Sequence, residues 1–392
     1  MQHIAQRLLD REAVVAGVLS GTSGDGMDVG LAQFPAATAE SLGAPRLIAF
    51  ATLPFPLELA PRVRAVLDGA STGLAESALL SRDLGRAFGR AAREIAERHN
   101  VELDLVASHG QTVWHHDGAT PSGAATLQLG DGDFVAEESR AAVVSDFRQR
   151  DIAAGGEGAP ISALADDAVF AELPRPAAIL NLGGMANLTV LRASGEVESF
   201  DTGPANSLLD GLARRFLGRS FDQDGAQAAA GVPSEKLVRE LLAHPFLQRS
   251  APKSTGRDTF GEDYVSQVVN RARELGVLSD ERAPQDLLAS AALFIARSVV
   301  EALERLSAPV NWLVVAGGGV HHGPLIDGLA LHGRAPVASS ADFGVDPDAR
   351  EALVFAVLGA RFVLGHPVTR PGATGAKVGR VLGKFSPAPP RD

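Results

Sequence analysis

One acidic residue of this chain, Asp201, lies where a carboxylate can act on a bound substrate. It ends a segment that reads as a β-strand, and it is followed by the turn residues Gly203-Pro204 and by the amphipathic segment Ser207–Leu217, which is typical of a helix. A side chain held at a strand end before a turn can face a cleft. The Gly-rich stretches elsewhere are interpreted as parts that bring phosphate and substrate to this acid.

The first Gly-rich stretch, Ser20–Asp28, has the sequence SGTSGDGMD and joins two apolar segments, Ala13–Leu19 and Val29–Phe34. Two strands joined by such residues predict a β-hairpin. The loop can offer backbone N–H groups and hydroxyls to a phosphate, although a purely structural turn would have the same composition. A Walker A loop is excluded, because no Gly-Lys-Ser/Thr occurs in the chain.

A second loop of this kind, Gly317–Gly319, follows the apolar segment Trp312–Ala316 and precedes a predicted helix that starts at Pro324. A strand, a glycine loop and a helix in this order favour a nucleotide site, but the spacing is not that of the dinucleotide fingerprint. A third glycine turn, Gly183-Gly184, separates two predicted strands. A nucleotide phosphate would explain the three turns together; three unrelated structural turns are the alternative.

Polar residues also follow the predicted strand Leu103–Ala107, in the run Ser108–Thr112. Open α/β sheets bind ligands past the carboxyl ends of their strands, so His109 is a candidate ligand contact, or else a capping or core histidine. The pair His115-His116 does not favour a metal site, because adjacent side chains in a strand point apart.

Three further charged segments are candidates with structural alternatives. The run Asp146–Asp151 is interpreted as a substrate-lining loop or as a solvated link between domains. Lys253 and Arg257 could hold an anion or a substrate carboxylate, or lie in a surface loop. Glu351 lies near the start of a predicted helix, where an acid also stabilises the helix N-terminus.

The composition narrows the class of protein. The 392 residues are enough for two domains, and the formal net charge of −11 argues against general binding to nucleic acid or to an anionic membrane. The absence of cysteine excludes disulfides and thiolate catalysis. The N-terminal segment lacks the apolar core of a signal peptide, and the longest apolar run, Leu287–Ala296, is about half the ~20 residues of a membrane span.

The chain predicts two related α/β halves. Residues 13–34 and 177–193 both read as an apolar strand, a glycine turn and a second strand, and a domain boundary is expected near residues 143–150.

The whole chain, from about Val15 to Gly383, resembles the anhydro-N-acetylmuramic acid kinases. The resemblance depends on motifs that occur in order: GVLSGTSGDGMD, SHGQTVWH, DFRQRDIAAGGEGAP, NLGGMANLTVL, FDTGPANSLLD, PKSTGRDTF, AGGGVHHGPL, EALVFAVL and GATGA. Any one of these would be a weak signal, whereas the ordered set is specific.

The resemblance implies an α/β fold of the sugar kinase, Hsp70 and actin superfamily, with two RNase H-like lobes and ATP in the cleft between them. The expected lobes are residues 1–143, completed by about 368–392, and residues 144–367. The implied reaction opens the 1,6-anhydro ring of anhydro-N-acetylmuramic acid with water and transfers the γ-phosphoryl group of ATP to O6, giving N-acetylmuramic acid 6-phosphate. The resemblance also implies peptidoglycan recycling in the cytoplasm, by a homodimer that binds neither nucleic acid nor membranes.

Matching the motifs residue by residue gives each candidate a role. Asp201 is expected to be the base that deprotonates water, Glu351 to help bind sugar or water, and Asp25 to hold Mg²⁺ through water. The residues expected to contact ATP are Gly21, Thr22, Ser23, Gly24, Asp25, Gly26, Met27, Asp28, Gly184, Asn187, Gly317, Gly318 and Gly319. The residues expected to contact the sugar are His109, Gln111, Thr112, Arg148 and Arg150.

Several positions depart from the family pattern. They are Gly24 where an apolar residue is common, Glu157 for Gln, Ile161-Ser162-Ala163 for Leu-Val-Pro, Ala205 for Gly, Asp258 for Glu and His322 for Asn. Gly24 is expected to make the phosphate loop more flexible. Two alternatives therefore stay open: a kinase for another anhydrosugar such as levoglucosan, and a non-catalytic regulator of the same fold that binds nucleotide.

Overall fold

The computed structural model describes residues 1–21, 24–38, 42–118, 122–251, 253–279 and 283–390, and at residues 117, 257 and 258 it describes the backbone alone. The chain forms two compact units. The first unit comprises Met1–Glu172 and Ala349–Asp392, and the second comprises Leu173–Asp348.

The strands are β1 (Ala13–Ser20), β2 (Met27–Phe34), β3 (Arg46–Leu53), β4 (Leu105–Asp117), β5 (Ala124–Leu129), β6 (Val143–Ser145), β7 (Ala177–Leu182), β8 (Met185–Leu191), β9 (Val197–Pro204), β10 (Trp312–Ala316), β11 (Val337–Ser339) and β12 (Lys384–Ser386).

The helices are α1 (Gln2–Asp10), α2 (Ala60–Leu67), α3 (Leu74–Arg98), α4 (Gly132–Ser139), α5 (Phe147–Ala153), α6 (Asp166–Val169), α7 (Asn206–Leu217), α8 (Ala226–Ala230), α9 (Glu235–Leu242), α10 (Pro245–Gln248), α11 (Arg257–Phe260), α12 (Glu262–Glu274), α13 (Ala283–Glu304), α14 (Gly323–His332), α15 (Arg350–Leu364) and α16 (Pro371–Thr374). Short 3₁₀ turns occupy Ser162–Leu164, Gln223–Gly225, Gly318–His321 and Ser340–Phe343.

The two units contain sheets of the same order. In the first unit the order is β3-β2-β1-β4-β6, and in the second it is β9-β8-β7-β10-β11. In both, the first three strands form an antiparallel meander and the remaining strands run parallel to the innermost strand of the meander. The first unit adds β5 beside β4 and β12 beside β6. The predicted pair of α/β halves, each starting with a hairpin, is therefore confirmed.

Helix α15 belongs to the first unit because it packs on β1, β2 and β4. A Cβ atom at Gly17 of β1 would lie 1.8 Å from the carbonyl oxygen of Ala352, so the close approach of helix and strand needs a glycine there. The units accordingly divide after Glu172 and after Asp348, later and earlier in the chain than the expected boundaries near residues 143 and 368. An apolar helix pattern does not say which sheet the helix covers, whereas this contact does.

The core of the second unit forms around α13, which packs against α7, α8, α9 and α14 and against β9. Apolar residues on most sides of α13 are buried, as expected for a helix enclosed by other helices. In the described part of the chain, no helix is both long enough and apolar enough to cross a membrane.

Candidate active site

Asp201 lies within β9, an edge strand of the second sheet, directly opposite Asn187 on β8. Residues paired in this way project on the same face of a sheet. The next pair joins Ala186 to Gly203, so Thr202 is the extra residue of a β-bulge. Gly203 has a φ of +140°, a value that favours glycine. The strand predicted to end at Asp201 instead continues, and the bulge beside Asp201 sets the direction of its side chain.

A segment of chain after α10 holds Asp201, a residue that is 6% exposed. The backbone N–H of Thr255 donates to Oδ2 of Asp201 at 2.7 Å. The backbone N–H of Asp201 donates to the carbonyl oxygen of Lys253 at 2.9 Å. Lys253 is buried, which rules out the surface-loop alternative, and it donates to the carbonyl oxygens of Phe246 and Leu247. The side chain of Arg257 lies outside the described part of the chain.

The Gly183-Gly184 turn between β7 and β8 holds the start of α7. Its two carbonyl oxygens accept hydrogen bonds from the backbone N–H groups of Ala205, Asn206 and Ser207 at 3.0–3.1 Å. Ala205 is fully buried and has a φ of −134°. Since that φ lies outside the left-handed region, alanine in place of the family's glycine brings no left-handed strain near Asp201.

The loop Gly317–Gly319 contains two glycines that packing requires and one that it does not. A Cβ at Gly317 would lie 2.9 Å from Oδ1 of Asn181, and one at Gly319 would lie 2.5 Å from the Cβ of Leu182. At Gly318 the nearest atom would be 3.8 Å away. Gly318 is therefore the member of the loop whose open side can approach a ligand.

His322, which replaces the family's asparagine after this loop, caps α14. Its Nδ1 accepts the backbone N–H of Leu325 at 3.3 Å, which is the N-cap interaction that asparagine also supplies. Its Nε2 is buried with no hydrogen-bond partner. Burial lowers the pKa of His322, against the opposing charge of Asp222. The replacement thus preserves the local helix start.

In the first unit, the described part of the Ser20–Asp28 loop turns tightly. The carbonyl oxygen of Gly21 accepts a hydrogen bond from the backbone N–H of Gly24 and one from Nε2 of Gln111, each at 3.1 Å. Gly24 has a φ of +66°, and a Cβ there would lie 2.3 Å from Cδ1 of Leu67. Glycine at this position is therefore matched to the leucine of α2. The predicted ATP contacts Thr22 and Ser23 lie outside the described residues.

The end of this loop has one exposed acid. Asp25 is exposed and pairs with Arg64 at 3.0 Å. Asp28 accepts a hydrogen bond from Oγ1 of Thr52 at 2.6 Å. The side chain of Met27 lies in the core of the first unit, so a phosphate contact from Met27 would have to come from its backbone. In the described part of the chain no cluster of three or more His, Asp or Glu side chains could hold a metal ion.

The polar run Ser108–Thr112 lies inside β4 rather than after a strand, because β4 continues to pair with β5. Gln111 is fully buried; its Nε2 supports the carbonyl oxygen of Gly21, and its Oε1 has no hydrogen-bond partner. Oγ1 of Thr112 accepts a hydrogen bond from Gln128 at 3.1 Å. The structure thus places Gln111 against the Ser20–Asp28 loop at Gly21.

Buried His109 and half-buried Arg148 form a hydrogen-bonded pair. Nε of Arg148 donates to Nε2 of His109 at 2.9 Å, and Nδ1 of His109 contacts the carbonyl oxygen of Gly110 at 3.1 Å. This arrangement requires a neutral imidazole with its proton on Nδ1. Burial and the Arg148 charge hold the pKa of His109 well below its usual value. His109 is thus a support for Arg148.

Arg148 and Arg150 stand on the short helix α5, which replaces the predicted loop at Asp146–Asp151. Nη1 of Arg148 donates to the carbonyl oxygen of Gly158 at 2.7 Å. Burial lowers the pKa of Arg148 to about 10, while the nearby acids Glu351 and Asp151 oppose that change. Arg150 is exposed, and residues two apart on a helix do not face each other. The structure therefore pairs Arg148, but not Arg150, with His109.

Glu351 is placed by the residue that precedes it. Arg350, which is fully buried, donates from Nε and Nη2 to the two carboxylate oxygens of Asp166 at 3.0 and 2.5 Å. This bidentate pair fixes the first turn of α15, where Glu351 lies half-buried. Sequence reasoning missed Asp166, Arg350 and Thr255. The position next to a candidate acid was a usable signal for Arg350, and Thr255 lies within the motif PKSTGRDTF, whereas nothing local pointed to Asp166.

A family model described as anhydro-N-acetylmuramic acid kinase matches residues 13–388. The anhydro-N-acetylmuramic acid kinase of Salinibacter ruber is 39% identical over 386 residues, covering 95% of this chain and 96% of the relative. That of Pseudomonas putida is 38% identical over 380 residues, covering 96% and 100%. The chain belongs to the anhydro-N-acetylmuramic acid kinase family. The predicted family and the prediction of a kinase are thereby confirmed.

Solved structures with some likeness to the chain include two that hold nucleotide analogues. The activator of 2-hydroxyisocaproyl-CoA dehydratase from Clostridium difficile with bound ADPNP matches with a TM-score of 0.44 at 13% identity, over 90% of this chain and 96% of that one. A ROK family glucokinase from Streptomyces griseus with glucose and AMPPNP matches with a TM-score of 0.38 at 14% identity, over 89% and 100%. These likenesses add nothing to what the two sheets show.

The neutral state of His109 predicts a pH dependence of stability. Its pKa is depressed in the folded protein, so below about pH 6.5 the unfolded chain binds a proton that folded His109 does not. The contribution of His109 to the free energy of unfolding should therefore be complete above that pH. It should fall as the pH drops, by up to about 1.4 kcal/mol per pH unit. Urea unfolding at several pH values between 7.5 and 5 measures the slope.

The variant His109→Gln should show a shallower slope, because an amide offers Arg148 an acceptor without a titrating group. His99→Gln, at an exposed position after α3, serves as the control and should keep the wild-type slope. Equal slopes for wild type and His109→Gln would mean that His109 titrates alike in both states.

Proposed function

We propose that this protein is an ATP-dependent kinase that opens the anhydro bond of 1,6-anhydro-N-acetylmuramic acid with water and phosphorylates O6, giving N-acetylmuramic acid 6-phosphate. The proposal rests on membership of the kinase family over residues 13–388, and one observation in the structure carries the chemistry. That observation is a buried carboxylate, Asp201, aimed by a bulge and held by the Thr255 N–H. Such an orientation is what a general base needs.

In the proposed reaction Asp201 accepts a proton from water as the water oxygen bonds to the anomeric carbon. The bond between that carbon and O6 breaks, O6 leaves with its electron pair, and it then bonds to the γ-phosphorus of ATP as ADP departs. Oδ1 of Asn187 and Oγ1 of Thr255 are buried without hydrogen-bond partners. Because Asn187 lies directly across from Asp201, we assign its Oδ1 to the attacking water, beside the nucleotide contact that the resemblance implies.

The glycine loops would serve the nucleotide. Backbone N–H groups of Gly21–Asp28 would bind the phosphates, and Gly318 would lie against the nucleoside. Mg²⁺ is commonly held by one or two carboxylates together with phosphate oxygens and water. The exposed carboxylate of Asp25 fits that donor set, and Arg64 beside it adds a positive charge. When bound, the ion would neutralise charge on the transferring phosphoryl group.

The sugar would bind to residues of the first unit. A guanidinium suits a carboxylate, and Arg148, oriented by His109, is assigned to the lactyl carboxylate that distinguishes the muramic sugar. Glu351, which interacts favourably with Arg148, is assigned to a sugar hydroxyl or to the water. The proposal further includes a cytoplasmic role in peptidoglycan recycling and a homodimer, both of which remain predictions. No observation favours the levoglucosan kinase or the non-catalytic regulator.

A two-sugar assay tests this function. ATP consumption should depend on the added sugar, and kcat/KM should favour anhydro-N-acetylmuramic acid over levoglucosan by about 10² or more, because only the former has a carboxylate for Arg148. Arg148→Met should reduce this preference at least about tenfold. Arg90→Met, an exposed residue on the outer side of α3, is the control and should leave it unchanged. Turnover without sugar dependence, or a preference for levoglucosan, would overturn the proposal.

A further inference from the structure

Lys253 is a buried lysine whose ammonium group contacts neutral atoms. It is 4% exposed, and its Nζ donates to the carbonyl oxygens of Phe246 and Leu247 at 3.2 Å each. The same Nζ lies 4.8 Å from the centre of the Phe246 ring, within the range of a cation–π contact. A cation in such a place loses hydration, so the charge requires a reason beyond packing.

The main chain of the same residue leads to Asp201. The carbonyl oxygen of Lys253 accepts the backbone N–H of Asp201, and two residues further on the N–H of Thr255 donates to the Asp201 carboxylate. β9 is an edge strand of its sheet. The segment Lys253–Thr255 therefore lies beside β9 at Asp201, where a further strand would otherwise pair. Lys253 thereby links the segment that hydrogen-bonds Asp201 to the end of α10.

Helix α10 supports the bulge beside Asp201 on β9. It packs on β9, and a Cβ placed on Gly203, in the bulge beside Asp201, would lie 3.0 Å from Cδ2 of Leu247. The carbonyl oxygens that Lys253 binds therefore belong to residues that lie against the bulge. One ammonium group joins the segment that clasps the carboxylate to the helix that packs beside the bulge.

The geometry points to Lys253 as a positioning residue for Asp201, one that fixes the segment clasping the carboxylate and favours the ionised form of that carboxylate with its positive charge. The inference deepens the proposed function and rests on it, because its effect is read through catalysis by Asp201. Lys253 itself takes no part in bond making or breaking.

The charges around Lys253 agree with this assignment. Burial, together with the charges of Arg305 and Arg249, lowers the pKa of Lys253 to about 8, and the charge of Asp201 opposes that change. The favourable interaction with Asp201 is reciprocal, so a charged Lys253 makes ionisation of the Asp201 carboxylate easier. Since the lysine is mostly charged below pH 8, this effect is present at neutral pH.

The test compares pH profiles of kcat/KM for the muramic sugar in wild type and variants. Lys253→Met should lower kcat about tenfold or more with the KM for ATP unchanged, because the base is mispositioned. It should also move the acid limb upward by about 0.5 to 1 pH unit, because the nearby positive charge is gone. Lys253→Gln, which keeps a hydrogen-bond donor, should recover part of kcat but show the same shift. Lys253→Arg, which keeps the charge, should recover the wild-type limb.

Arg305→Met is the matched control, because Arg305 donates to the same Leu247 carbonyl oxygen at 2.5 Å. It should leave the acid limb in place. An unmoved acid limb in both Lys253→Gln and Lys253→Met, or the same shift in Arg305→Met, would overturn the inference while wild-type turnover stood. Absence of sugar-dependent turnover in the wild type would instead overturn the proposed function, and this inference with it.

Discussion

Replacing Asp201 with asparagine is expected to abolish sugar-dependent turnover. An amide cannot accept the proton of the attacking water, and loss of a general base costs about 10²- to 10⁴-fold in rate. The asparagine oxygen can still accept the Thr255 N–H that now binds Oδ2, so the local fold should persist. Ring opening and phosphorylation should fall together, because O6 becomes a phosphoryl acceptor only when the ring opens.

Two measurements separate the steps. Formation of a reducing sugar end reports ring opening, and ADP release reports phosphoryl transfer. The dissociation constant for ATP should stay within about threefold of wild type. Glu198→Gln, a surface carboxylate on the same strand that pairs with Arg192, is the control and should keep full activity. Ring opening by Asp201→Asn at a wild-type rate would place the base elsewhere.

The second large effect concerns stability and comes from the Asp166–Arg350 pair. Both side chains are buried, with 0% and 1% of their surfaces exposed. Replacing Arg350 with methionine would leave the Asp166 carboxylate in the interior without its bidentate partner. Such a loss typically costs about 3 to 5 kcal/mol. The free energy of unfolding of Arg350→Met, measured in urea, should fall by that amount.

A double variant separates the charge from the packing. Asp166→Leu combined with Arg350→Met removes both charges, and it should recover roughly half or more of the lost free energy, since apolar replacements of buried pairs are well tolerated. Arg90→Met should leave the free energy of unfolding within about 0.5 kcal/mol of wild type. A single Arg350→Met variant as stable as the wild type would show that this pair adds nothing to the stability of α15.

Local patterns were enough for much of the fold. The sequence predicts the hairpin of β1 and β2, the helices α7 and α14, and the strands on both sides of the Gly183-Gly184 turn, and the structure has all of them. These elements follow from apolar periodicity and from glycine turns, which are properties of neighbouring residues. The ordered motifs likewise led to the family, which the comparisons confirmed.

Other features were mispredicted for the same reason. The run Ser108–Thr112 was expected after a strand, but pairing with β5 extends β4 through it. The run Asp146–Asp151 was expected as a loop but forms α5. Of the two alternatives for Lys253, an anion contact or a surface loop, the surface loop is wrong because the residue is buried. In each case a neighbour from elsewhere in the chain determines the outcome, and polarity alone does not show it.

The sequence by itself determined which family the chain belongs to and predicted that two similar halves make up the chain, and it pointed to Asp201 as the candidate base. Only the tertiary structure decided how that acid is held. Asp201 is followed by the bulge at Thr202, lies opposite Asn187, and accepts the N–H of Thr255, which is 54 residues away along the chain. Hydrogen bonds of this kind depend on which strands and segments become neighbours. That choice is made by packing over the whole unit, beyond the reach of any local pattern.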